Sequence, residues 1–251
     1  ELPPALATEG PEGDPLPVLA GTGAGPVVVF PLLHRPLGED GTVQGLLEVA
    51  DVAYVGSGVL GSALSMDKAK AKEVALAAGI PQARWRTFAE PELADRDAVI
   101  AELGDELGFP VFVKPANMGS SVGVSKAADA AALAVALDTA LRYDGRVVVE
   151  EAVSPAREIE VSVLGNFELR VSVPGEIVPA ADFYDYDDKY RDGAAELLVP
   201  APLPDDVVVE VQDLAARAFR VLRAEGLARV DFFYEEGGRG LLLNETNTMP
   251  G

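Results

Sequence analysis

Arg229-Val230-Asp231 and Glu245-Thr246-Asn247 each set polar side chains two residues apart. In extended chain such residues share a face. A hairpin through Glu235-Glu236-Gly237-Gly238 therefore brings Arg229, Asp231, Glu245 and Asn247 together. Two carboxylates and an amide oxygen are hard ligands suited to Mg²⁺, which keeps positions open for water and phosphate oxygens, whereas zinc recruits His or Cys. An arginine on the same face points to a phosphorylated ligand. The competing reading is a hairpin with a solvated polar face. Asn244-Glu245-Thr246-Asn247 follows the aliphatic Leu241-Leu242-Leu243 and precedes Met249-Pro250-Gly251, a context that favours the metal site.

Four further stretches carry chemistry. Phe112-Val113-Lys114-Pro115 runs into a small-residue loop with Gly119, Ser120, Ser121 and Gly123. Glycines let backbone N–H groups approach phosphate oxygens, serines add hydroxyl donors and Lys114 adds charge. It is not a Walker A loop, because Lys114 precedes the glycines and ends a strand. An ordinary Gly-Ser hairpin would have the same composition. Glu150-Glu151 at one strand end and Arg157-Glu158-Ile159-Glu160 at the start of the next would hang carboxylates beside a cleft, where they suit ribose hydroxyls and an adenine amino group; solvated charges at a strand end are the alternative. Phe183 to Tyr190 holds three of the six tyrosines in a short polar loop. It reads as a lid that excludes water and brings Lys189 onto a phosphate, or else as an edge strand alternating Tyr and Asp. His34, the single histidine, ends a strand, which is where α/β sheets meet ligands. A lone His is also commonly structural.

The elements that must position these groups follow from period and punctuation. Residues 1–26 are rich in Pro and Gly and read as a loop. Pro26 to Leu33, Thr42 to Ala50 and Val52 to Val55 predict a small βαβ piece. A helix is expected to open at Ser65-Met66-Asp67 and close at Gly79 and Pro81. Strands over 83–88, 111–114 and 122–126 with helices over 97–107 and 129–141 predict a compact α+β unit; Leu133, Leu137 and Leu141 mark the core face of the second helix. Strands over 147–151, 159–164 and 167–173, with a turn at Gly165-Asn166, lead to a helix over 205–225 beneath the final hairpin. Three parts result: a βαβ piece over 1–64, an α+β unit over 65–153 and a second over 154–251.

With 251 residues, nearly half hydrophobic, the chain can bury a sizeable core. Twenty basic against 41 acidic residues give a net charge of −21, which argues against nucleic-acid or anionic-membrane partners. A nucleotide then needs local relief from lysines and divalent cations. The absence of cysteine removes disulfides and thiolate chemistry. No apolar run reaches membrane-span length and Glu1-Leu2-Pro3-Pro4 is no signal peptide, so a cytoplasmic protein is expected.

The set resembles the D-alanine–D-alanine ligase branch of the ATP-grasp enzymes from about Val27 to the last residue. The resemblance is carried by Leu33-His34 with Gly38-Glu39-Asp40-Gly41-Thr42-Val43-Gln44-Gly45, by Ser65-Met66-Asp67-Lys68, by the Lys114 to Gly123 loop, by Arg157 to Val161, by the Tyr184 to Tyr190 loop, and by Arg229 to Gly251. It implies an ATP-grasp fold, with ATP gripped between two α+β layers after a partial βαβ piece. It further implies that Lys68 and Lys114 contact phosphates together with Ser120 and Ser121, that Glu150, Glu151 and nearby backbone face adenine, and that Glu158 holds the ribose. Asp231, Glu245 and Asn247 would hold Mg²⁺ or Mn²⁺. Lys189 would reach the γ-phosphate; Tyr190, Ser120 and His34 would border the first D-alanine; Arg229 and the Gly251 backbone would face the second. A homodimer through the front domain is also implied.

Three departures accompany it. Arg35 stands where the family carries Gly after the histidine, the family's opening strand and Gly-rich turn have no counterpart upstream of Val27, and its closing segment has none after Gly251. A nucleotide-binding fragment impaired in catalysis is therefore an alternative, as is a ligase making D-alanyl-D-lactate or D-alanyl-D-serine. Tyr190 after Lys189 resembles the dipeptide-forming branch. A sugar hydrolase with paired carboxylates would leave the lysines and the Gly-Ser loop without a role.

Overall fold

The structure, a computed structural model, describes residues 27–178 and 196–250. Two antiparallel sheets with helices on their outer faces form the body, and a parallel two-stranded piece stands in front. That piece pairs β1 (Val28–Val29) with β2 (Ala53–Tyr54) across α1 (Thr42–Val49). The expected βαβ unit is present. Its first strand is far shorter than residues 26–33, because only two residues find a partner in β2.

α2 (Val59–Met66) and α3 (Lys68–Ala77) follow. The predicted helix start is displaced: Ser65 lies near the end of α2, and Asp67 caps α3 by accepting the Lys70 N–H at 3.0 Å. α2 went unread because Val59-Leu60-Gly61-Ser62-Ala63 has no polar stripe and contains a glycine. Gly61 is required there, since a Cβ at this position would come within 2.1 Å of the Arg223 carbonyl oxygen.

The smaller sheet has the order β3 (Trp85–Ala89), β6 (Arg146–Glu151), β4 (Val111–Pro115), β5 (Ser125–Ala127). α4 (Arg96–Leu107) and α5 (Ala130–Leu141) cover one face, where Leu103, Leu133, Leu137, Val113, Val147 and Val149 are buried. Strand alternation then sends Val148 and Glu150 to the other face. There Val148 packs with Ala69 of α3 and with Ala116.

The larger sheet runs β10 (Glu196–Leu198), β9 (Gly175–Val178), β7 (Arg157–Gly165), β11 (Gly226–Glu235), β12 (Gly240–Asn247), with β8 (Arg170–Val171) pairing β7. α6 (Asp205–Val221) lies beneath it as expected and seats Phe219 and Leu214 against Ile159, Val161, Val230 and Phe232. Ala75 and Ile80, at and beyond the end of α3, also enter this core. α3 is thus wedged between the sheets, tied to the smaller by Ala69 and to the larger by Ala75. Among the described residues no helix is long and apolar enough to cross a membrane.

Candidate functional site

Between the inner face of the larger sheet, the end of α2, the start of α3 and the loop after β4 lies a cleft of about 460 Å³. On the larger sheet the alternation that buries Ile159, Val230 and Phe232 turns Glu158, Glu160, Arg229 and Asp231 into it. The β11–β12 register pairs Arg229 with Asn247 and Asp231 with Glu245. The four residues expected to share a face do so, and all line the cleft.

Arg229 donates to both Asp231 oxygens at 2.8 Å, lies 3.1 Å from Glu160, and Asn247 donates its amide N–H to Asp231 at 2.8 Å. Burial works against the guanidinium charge, yet Asp231 and Glu160 more than offset it and hold Arg229 charged. Among the described residues no three His, Cys, Asp or Glu side chains surround a common metal position. The oxygen set here is two carboxylates and an amide. It fits a hard divalent cation: Arg229 and Asn247 already supply Asp231 with the positive charge and the donor that such an ion would replace.

A β-bulge shapes this wall further. Asp231 pairs with Glu245 but Phe232 pairs with Leu243, leaving Asn244 as the extra residue. Simple alternation would turn Asn244 away from Glu245. Instead it lines the cleft and accepts from Lys114 Nζ at 3.2 Å.

The opposite wall carries Lys68, and Lys72 and Lys114 lie behind it. Lys68, first residue of α3, donates to the Met118 carbonyl and lies 3.9 Å from Glu245. One helical turn on, Lys72 Nζ sits 2.5 Å from Glu150 Oε1, and Lys114 Nζ sits 2.5 Å from Glu150 Oε2. Burial would raise the Glu150 carboxyl, but the two lysines bring it down to about 2. Burial lowers Lys68 and Lys72, only partly opposed by Glu245 and Glu150. For Lys114 burial acts in the same sense, yet Glu150 outweighs it and raises the ammonium.

Of the other expected residues, His34 and Ser120 line the cleft, His34 from an exposed position. Ser120 and Ser121 hold φ of 54° and 57°, a left-handed pair that turns the loop after β4. Ser121 is not part of the cleft wall, and Lys114 reaches that wall through Asn244. Two assignments change. The Glu150 carboxylate, expected at the nucleotide, faces Lys72 and Lys114 and is not part of the cleft wall. Glu151 points the other way, to Arg84 at 2.6 Å and to Arg239, and lies outside the cleft. Lys189, Tyr190 and Gly251 lie outside the described residues.

Sequence reasoning missed Lys72, Asn244, Glu39 and Ser65. The i,i+4 spacing of Lys68 and Lys72 was a usable signal for the first. Glu39, which accepts the Arg35 N–H at 2.6 Å, and Ser65, whose buried hydroxyl has no partner among the described residues, stand on the front wall within motifs already marked.

Comparison with known proteins bears on this geometry. A family model described as "D-ala D-ala ligase C-terminus" matches residues 74–251, and one described as "D-ala D-ala ligase N-terminus" matches 14–57, so the likeness begins upstream of Val27. The D-alanine–D-alanine ligase of Caldicellulosiruptor bescii is 51% identical over 225 residues, covering 89% of this chain and 62% of that protein. That of Deinococcus radiodurans is 52% identical over 225 residues, with 89% and 66% covered. Among solved structures, the VanG D-Ala:D-Ser ligase from Enterococcus faecalis matches with a TM-score of 0.80 at 36% identity, over 89% of this chain and 64% of that one. The D-alanine–D-alanine ligase from Coxiella burnetii matches with a TM-score of 0.76 at 36% identity, over 89% and 59%. The chain spans roughly three-fifths of the length of the first of these curated relatives, 62%.

Proposed function

The chain belongs to the D-alanine–D-alanine ligase family, and on that premise we propose that it joins two D-alanines at the expense of ATP, through an acyl phosphate, for peptidoglycan precursors. The observation that carries this reading is the two-walled cleft: Lys68 on one side faces Glu158, Asp231 and Glu245 on the other, and Lys114 reaches that second wall at Asn244. An anionic triphosphate needs the first wall, and the cations that accompany it need the second.

In this reading Lys68 and Lys114 bind phosphates, Glu158 holds the ribose and the backbone around Glu150 meets adenine. Asp231, Glu245 and Asn247 would hold Mg²⁺, which when bound neutralises charge on the transferring phosphoryl group. Lys189 completes the cationic side at the γ-phosphate. His34, Ser120 and Tyr190 orient the first D-alanine so that its carboxylate attacks that phosphorus and ADP departs. Arg229 and the Gly251 N–H then stabilise the oxyanion as the amine of the second D-alanine attacks the acyl phosphate carbonyl and inorganic phosphate leaves. No protein nucleophile is needed. Exclusion of water matters because the acyl phosphate hydrolyses readily.

The test is ADP release by the purified chain with Mg²⁺ and ATP, with product identified by mass spectrometry. ADP and D-alanyl-D-alanine are expected only with D-alanine present. Equal ADP release with L-alanine or with no amino acid would overturn the ligase reading. Nucleotide binding without any product would favour the impaired fragment, and preferential capture of D-serine or D-lactate would move the second substrate.

A further inference from the structure

Lys72 has no part in the chemistry above, yet it is one of the most deeply buried charges in the described chain. Its residue is 4% exposed, Glu150 is 3% exposed, and their contact is 2.5 Å. Glu150 is shared evenly, one oxygen facing Lys72 and the other Lys114. The two lysines differ in what else they touch. Lys114 also reaches Asn244 in the cleft wall. Lys72 lies behind that wall on α3, its carbonyl accepting from Gln82 at 3.0 Å, on the helix that Ala69 packs against Val148 and Ala116.

Resting on the nucleotide reading of this cleft, we propose that Lys72 is a positioning residue: it stays on Glu150 as a fixed counter-ion so that Lys114 can turn from Glu150 to the phosphates. A lysine ammonium on a four-carbon stem can make such a turn. The difficulty is what it leaves behind. A buried carboxylate deprived of its partner is costly, and with Lys72 absent Lys114 would be the one cation on Glu150 among the described residues. Phosphate and Glu150 would then compete for one ammonium group. With Lys72 in place, Glu150 keeps a contact as Lys114 moves, and the phosphate gains a charge-assisted hydrogen bond.

The experiment measures Mg²⁺–ADP and adenosine binding to the full chain by titration calorimetry and compares the ratio of the two affinities across variants. The ratio isolates the phosphate contribution and cancels effects on the adenine site or on the folded fraction. Lys72→Met is expected to lower it at least about tenfold, the worth of one charge-assisted hydrogen bond. Lys72→Arg keeps the cation and should stay within about threefold of the parent. Lys72→Met with Glu150→Gln removes both charges, frees Lys114 and should restore the ratio. An unchanged ratio in Lys72→Met, or one not restored in the double variant, would overturn the proposal. If Lys72→Met does not fold, Glu150→Gln against the double variant carries the test: with Glu150 neutral the two ratios should agree, and a tenfold gap sinks the idea. A parent chain that binds neither ligand overturns the nucleotide reading itself.

Discussion

Replacing Glu150 by Gln should change how stability depends on acid, by an amount that follows from its two lysine contacts. The carboxyl is buried, which would raise it, but Lys114 and Lys72 hold it at about 2 against a reference value of 4.5. A gap of that size corresponds to about 3 kcal/mol of native-state stabilisation. Because the folded value lies below the unfolded one, the contribution is complete above pH 4.5 and is lost as pH falls through about 2. At about pH 3 roughly 1 kcal/mol remains. The assay is urea unfolding followed by fluorescence of Trp85, the single tryptophan, which stands opposite Glu150 in the β3–β6 ladder. Between about pH 6 and pH 3 the stability difference between parent and Glu150→Gln should narrow by about 2 kcal/mol. Stability curves that stay parallel over this range would refute the claim that the ionised carboxylate is what the two lysines hold.

Two other perturbations probe the remaining walls. Glu245→Gln removes a proposed metal ligand that lies 3.9 Å from Lys68; Mn²⁺ affinity measured by electron paramagnetic resonance should fall by more than the roughly tenfold that loss of an outer-shell partner costs, and unchanged Mn²⁺ affinity would count against the ligand set. Gly61→Ala puts a methyl group within 2.1 Å of the Arg223 carbonyl oxygen and should lower unfolding free energy by about 2 kcal/mol as α2 is pushed off its seat; an unperturbed urea midpoint would show that the two segments yield more easily than their contact suggests.

How much could be read beforehand depended on whether one local rule governed a segment. β7, β11 and α6 were legible because each has one apolar face and one polar face of the right period, so Ile159, Val161, Val230 and Phe232 announce the core while Glu158, Arg229 and Asp231 announce the cleft. β9 and β10 were not, being four and three residues long and held by pairing partners remote in sequence. Glu150 and Glu151 show the period-two rule under-used. Taken together as one acidic pair they were both assigned to the nucleotide, whereas adjacent residues on a strand face opposite ways, one to Lys72 and Lys114, the other to Arg84 and Arg239. Asn244 fails for the opposite reason. The rule was sound, and a bulge broke it.

Arg35 shows how backbone conformation changes the meaning of an apparent departure. In the sequence it is a bulky cation next to His34, where the family carries glycine. The structure gives it a φ of 75°, a conformation that glycine adopts at no cost and other residues at roughly 1–2 kcal/mol. The turn that imposes this is over-determined: the Arg35 carbonyl accepts from the N–H groups of Gly38 and Glu39, and its own N–H donates to the Glu39 carboxylate at 2.6 Å. Arg35 is not part of the cleft wall, while its neighbour His34 and its partner Glu39 both are. Glycine at this position is thus explained by the turn rather than by room for a ligand. Arginine in its place strains the segment that presents His34 and Glu39, so this departure bears on the stability of the front wall.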